Sequence, residues 1–127
     1  MQEKYLFEYA VVRVVPRVER EEFLNVGVIV FCKQLKFLQS KIVLNEERLC
    51  AFKDGMQLSE LRAALEAFDQ VCTGTASAGP ISKLDTAARF RWLTATRSTV
   101  VQTSRVHSGL TTDPSATLHH LFETLVL

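Results

Sequence analysis

Arg13 is the residue of this sequence whose neighbours suit it least. It lies in Tyr5 to Val15, a run of aromatic and β-branched side chains that reads as a strand stopped by Pro16. A guanidinium buried there without a partner is costly, so it must find a carboxylate or carbonyl oxygens. Two arrangements meet that need. In one, Glu22 or Glu8 neutralises Arg13 while Asn25 bonds the loop backbone. In the other, Arg13 grips an anionic ligand, Asn25 orients it, and Gly27 lets a ligand or a second backbone approach closely.

A second basic set runs from Arg89 to His107. It holds Arg89, Arg91, Arg97, Arg105 and His107 without any acidic residue, and Ser98, Thr99, Gln102, Thr103 and Ser104 add neutral donors. Such a set suits phosphate or carboxylate oxygens, and it equally fits a solvated helix end followed by an edge strand. If the chain is an enzyme, His107 or Glu22 is the acid/base and the arginines stabilise charge on a phosphorylated or nucleotide substrate. Ser98, Ser104 and Ser108 lack the G-x-S-x-G context that would make one of them a nucleophile. Adjacent His119 and His120 point about 100° apart on a helix, and Cys32, Cys50 and Cys72 form no C-x-x-C pair, so no metal and no cofactor is expected.

Composition narrows the partners. Fifteen Lys and Arg against fourteen Asp and Glu leave a net charge of +1, which gives no overall pull towards nucleic acid. Phe90 and Trp92 offer little stacking surface beside the basic set, leaving weak contact with phosphate backbones as a third reading. The N-terminus lacks the sections of a signal peptide, and the longest near-continuous apolar run, Val26 to Cys32, spans about seven residues where a bilayer needs about 20. A cytoplasmic protein without a membrane partner is expected.

The elements that must position these residues follow from pattern. After a charged loop, Pro16 to Glu22, a second strand opens at Phe23, with Leu24, Val26, Val28, Val30 and Cys32 on one apolar face and Asn25 and Gly27 making a polar notch on the other. Pairing Val15 with Phe23 in a hairpin places Arg13 opposite Asn25. Lys33 to Lys36 is a turn, and Phe37 to Leu44 is an edge strand. Asn45 caps a short helix stopped by Gly55; Leu58, Leu61, Leu65, Phe68 and Cys72 form the stripe of a second. Thr73 to Pro80 is a loop. Ser82 and Asp85 suggest a capping box for a third helix through Leu93, Ser98 to His107 reads as one polar strand, and Asp113-Pro114 starts a final helix. The expectation is a single α+β domain over 1–127, ordered β-β-β-α-α-α-β-α: a three-stranded antiparallel meander plus a late fourth strand, with helices on one face.

The combination of Tyr9 to Pro16, Glu22 to Ile29, Arg91-Trp92-Leu93-Thr94-Ala95, Arg97-Ser98, Val101 to Ser104 and Leu121-Phe122-Glu123 resembles a bacterial family, domain of unknown function 3037. The resemblance covers nearly the whole chain. It implies a regulatory or accessory role beside a kinase similar to the HipA toxin kinases. Together with the residue reading it gives a non-enzymatic binding module with an anion-recognising face of Arg13, Asn25, Gly27, Arg91, Arg97, Ser98 and His107, one able to form a homodimer.

Overall fold

Strand β1 (Tyr5–Val14) is apolar on both faces, and the fold uses both. In the computed structural model, which describes residues 3–15, 23–45, 47, 58–74, 79–95 and 100–127, β1 pairs antiparallel with β2 (Leu24–Cys32), which pairs with β3 (Phe37–Ile42). The other side of β1 takes two short antiparallel strands, β4 (Val101–Thr103) and β5 (His107–Thr111). The remaining elements are helices α1 (Leu58–Thr73), α2 (Thr86–Leu93) and α3 (Pro114–Leu125), with a 3-10 turn at Pro80–Lys83. This is the expected α+β architecture and element order. The short helix expected between Asn45 and Gly55 lies almost entirely outside the described residues.

The helices divide between the two faces. Ala10, Val12 and Val14 of β1 join Ile29 and Phe31 of β2, Leu61, Leu65, Phe68 and Cys72 of α1, and Phe90 and Leu93 of α2 in one buried cluster. Phe90 is fully buried, its ring 5.1 Å from that of Phe31; burial of such a side chain contributes about 1.5–3 kcal/mol. On the reverse face Phe7, Val28, Val30 and Cys32 pack against Leu118, Phe122 and Val126, so α3 lies there over β2 and β3. Packing on one face therefore holds for α1 and α2 but not for α3. The physical reason is the doubly apolar β1, which leaves a greasy second face that a lone amphipathic helix can cover.

Two bulges set the register. Val12 pairs with Gly27 but Arg13 with Asn25, so Val26 is an additional residue in β2. The slip turns Val26 and Leu24 to the α1–α2 side while Val28, Val30 and Cys32 face α3, dividing what the sequence suggested as one continuous face. Beside β1, Val12 pairs with Thr103 and Tyr9 with His107, which leaves three residues, Ser104 to Val106, opposite two. The single strand expected from Ser98 to His107 is thus divided: Ser98 falls outside the described residues, and the pairing continues to Thr111.

Asp85, not Ser82, caps α2, its carboxylate accepting from Ala88 N at 2.8 Å; Ser82 is buried in the 3-10 turn and donates to Gly79 O. Asp113 caps α3 with Pro114 in the first turn, as the sequence indicates.

Candidate functional site

The bulge at Val26 brings Asn25 directly opposite Arg13, and on its other side Arg13 pairs with Gln102 of β4. Arg13 is half-buried, with its guanidinium carbon 4.1 Å from the centre of the Phe23 ring. This cation–π contact stabilises the charge without hydrogen-bonding it. Nε of Arg13 is buried and has no hydrogen-bond partner, and burial alone lowers the guanidinium pKa from its ordinary value while leaving it cationic. Among the described residues no carboxylate bonds Arg13.

Asn25 is fixed from the other direction. Its Nδ2 donates to the carbonyl of Leu125, the last residue of α3, at 3.2 Å, whereas its Oδ1 is buried without a partner. The negative end of the α3 dipole is thereby bonded to Asn25. The notch offers a buried unfilled donor, Arg13 Nε, and a buried unfilled acceptor, Asn25 Oδ1. A group carrying an anionic oxygen beside an O–H or N–H would satisfy both.

Gly27 belongs to the scaffold next to this notch. A Cβ there would lie 2.6 Å from the Lys41 carbonyl oxygen and 2.7 Å from Cγ1 of Ile42. The second backbone that approaches Gly27 is β3.

The remaining residues of the expected anion face are dispersed. His107 pairs with Tyr9 and stacks on its ring at 5.2 Å, on the α3 side shared with Arg13. Tyr9 and Arg13 are four residues apart along β1, about 13 Å, so His107 stands at the far end of the same face. Arg91 is on the opposite face, where it grips Glu8 through two parallel bonds of 2.9 and 3.1 Å. The bond to Glu8 raises the pKa of Arg91. This pair lines a cleft of ≈ 290 Å³ with Leu6, Phe31, Lys33, Gln34 and Ala87. Glu8, one of the two carboxylates expected to satisfy Arg13, is therefore committed to Arg91 across the sheet. Glu22, Arg97 and Ser98 lie outside the described residues.

Arg89 serves α1, donating from Nη1 to the carbonyls of Val71 and Cys72 at 3.1 and 2.9 Å, where a cation answers the carbonyl oxygens of the helix's C-terminal turn. Phe23 and the Leu125 carbonyl were not anticipated as parts of the notch. The position of Phe23 at the start of the second strand was a usable signal; a backbone oxygen at a distant helix end carries none. No three His, Cys, Asp or Glu side chains among the described residues are grouped to hold a metal, and none of the described helices is long and apolar enough to cross a membrane.

Residues 9–126 match the family model described as protein of unknown function, DUF3037. The chain belongs to the DUF3037 family. The matched span contains Arg13, Asn25, Gln102 and the α3 helix whose end closes the notch, so the whole site is part of the DUF3037 domain. No curated protein and no solved structure matches this DUF3037 chain.

Proposed function

We propose that this DUF3037 chain is a non-enzymatic binding and regulatory module of the bacterial cytoplasm. Its Arg13–Asn25 notch takes a carboxylate or phosphate oxygen of a partner protein at Arg13 Nε and a neighbouring O–H or N–H of the same partner at Asn25 Oδ1, and the partner is the HipA-like kinase that the family resemblance implies. The observation that carries the reading is the pair of buried, unsatisfied atoms, Arg13 Nε and Asn25 Oδ1, on neighbouring strands. Buried polar atoms are almost always hydrogen-bonded, so a donor and an acceptor left vacant on paired residues of neighbouring strands are what a bound polar group would fill. Arg91 supports a different role, because Glu8 already neutralises it.

The test is calorimetric titration of the chain with the kinase. Arg13→Met is expected to weaken binding by at least about tenfold, the loss of one charge-assisted bond, whereas Arg91→Met leaves it nearly unchanged. Equal affinity for the wild-type and Arg13→Met chains would overturn the notch as the contact, and absence of any heat with both proteins folded would overturn the partner.

A further inference from the structure

The sheet has an edge that its sequence does nothing to protect. Among the described residues β5 pairs with β1 alone, so every second amide and carbonyl of His107–Thr111 points away from β1 with no partner strand among them. Natural edges are blunted by lysine, proline, inward charge or a covering element. His107-Ser108-Gly109-Leu110-Thr111 contains no lysine, proline or carboxylate. The opposite edge, β3, is enclosed by α1 on one face and α3 on the other and carries Lys41. Leu110 and its cross-strand neighbour Leu6 are 65% and 59% exposed, an adjacent apolar pair on the α1–α2 side at this edge.

We propose that two copies of the chain dimerise about a twofold axis by antiparallel pairing of β5 with β5, centred on Gly109. In that register Ser108 lies opposite the partner's Leu110 and His107 opposite the partner's Thr111, and an axis perpendicular to the sheet keeps like faces together. The two Leu110 side chains become diagonal neighbours, within reach of each other, so Leu6, Leu110 and their two counterparts form one apolar row. Beyond the strand ends the same twofold sets Arg105, in the bulge before β5, at the end of the edge where the partner's Asp113 follows its own β5. Both are exposed, and the Arg105 side chain has no bonded partner among the described residues. The twofold axis makes that ion pair twice. Complementary charge at both ends of an uncharged edge that carries the exposed Leu110 beside Leu6 identifies a second copy of this chain as the occupant, and the two sheets become one continuous sheet.

Sedimentation velocity of the full chain from about 1 to about 200 µM tests this, because a short edge interface implies micromolar affinity. The wild type is expected to pass from monomer to dimer across that range. Leu110→Lys, at a site too exposed to affect folding, should be monomeric throughout. Arg105→Glu should weaken the dimer about fivefold by setting like charges against Asp113 twice. Adding Asp113→Asn should recover part of that loss, because asparagine still caps α3 while removing the repulsion. A wild-type chain that stays monomeric at the highest concentration, or a dimer whose dissociation constant neither Leu110→Lys nor Arg105→Glu changes, overturns the proposal. The kinase titration is independent of these outcomes, since Arg13 is not part of the edge.

Discussion

Arg13 and Asn25 face each other across β1 and β2 beside the bulge at Val26, and each keeps one buried polar atom without a hydrogen bond. A structural ion pair would have left neither atom vacant. The contrast is Arg91, whose guanidinium closes on Glu8 through two bonds. One arginine is satisfied within the fold, and the other is held by an aromatic ring while the helix end holds its neighbour Asn25.

This difference sets the sign of a stability measurement. Arg13→Met keeps the apolar stem but removes a desolvated cation and its vacant donor, against the loss of a cation–π contact worth about 0.5–1 kcal/mol. An unsatisfied buried donor costs about 1–3 kcal/mol, so the variant should unfold at equal or higher urea concentration, with a gain between zero and about 2 kcal/mol. A loss exceeding 1 kcal/mol would show that Arg13 is a structural residue and remove the basis of the notch.

Gly27→Ala tests the scaffold beneath the notch. The new methyl would press on the backbone oxygen of Lys41 and on Ile42, and neither can swing away without parting β2 from β3. Overpacking of this kind costs about 1–3 kcal/mol, and a backbone clash belongs at the upper end. The measurement is the urea midpoint at unchanged slope; a variant as stable as the wild type would mean that β3 does not run as close to Gly27 as described.

The Arg13–Asn25 pairing was legible in the sequence because a hairpin's register follows from its turn, and the residues next to the turn are the last to be affected by a slip. The bulge was not legible: Leu24, Val26, Val28, Val30 and Cys32 alternate without a break, and inserting Val26 replaces one apolar face by two apolar half-faces. The position of α3 followed from a signal present in β1, whose two faces are both apolar. Arg91 and Glu8 are distant in sequence, and only the path of α2 across the sheet joins them. Asn25 likewise needs a backbone oxygen from the far end of the chain, which residue type cannot announce.

Cys72 supplies a pH dependence. Burial pushes its thiol up to about 12 from an ordinary value of 9.0, with the Ser40 contact opposing the rise. The folded chain therefore holds this proton more tightly than the unfolded chain between those values, and stability is full below pH 9 and lost as pH rises towards 12. Cys72→Val, which cannot titrate, should show a slope of stability against pH shallower than wild type by about 1 kcal/mol per unit above pH 9.5. Identical slopes would place Cys72 in contact with water.

Ser104 is expected to matter more than its size suggests. The additional residue between β4 and β5 breaks the ladder where Val11 of β1 needs an acceptor, and the Ser104 hydroxyl oxygen takes the Val11 N–H at 2.9 Å. Ser104 N returns a bond to Val11 O at 2.8 Å, and its hydroxyl donates to the Arg105 carbonyl at 2.9 Å. The side chain thus replaces the missing rung and fixes the bulge. Ser104→Ala removes the acceptor and leaves the Val11 amide buried and unpaired, at a cost of about 1–3 kcal/mol. Thr103, half-buried in the same segment, lacks this role, so Thr103→Ala should cost less. Amide hydrogen exchange gives the local readout: Val11 should lose protection in Ser104→Ala more than Val12 does, because only Val11 N depends on the hydroxyl. Unchanged protection at Val11 would mean that water or a shifted backbone can substitute, and that the bulge is held by β4 and β5 pairing alone.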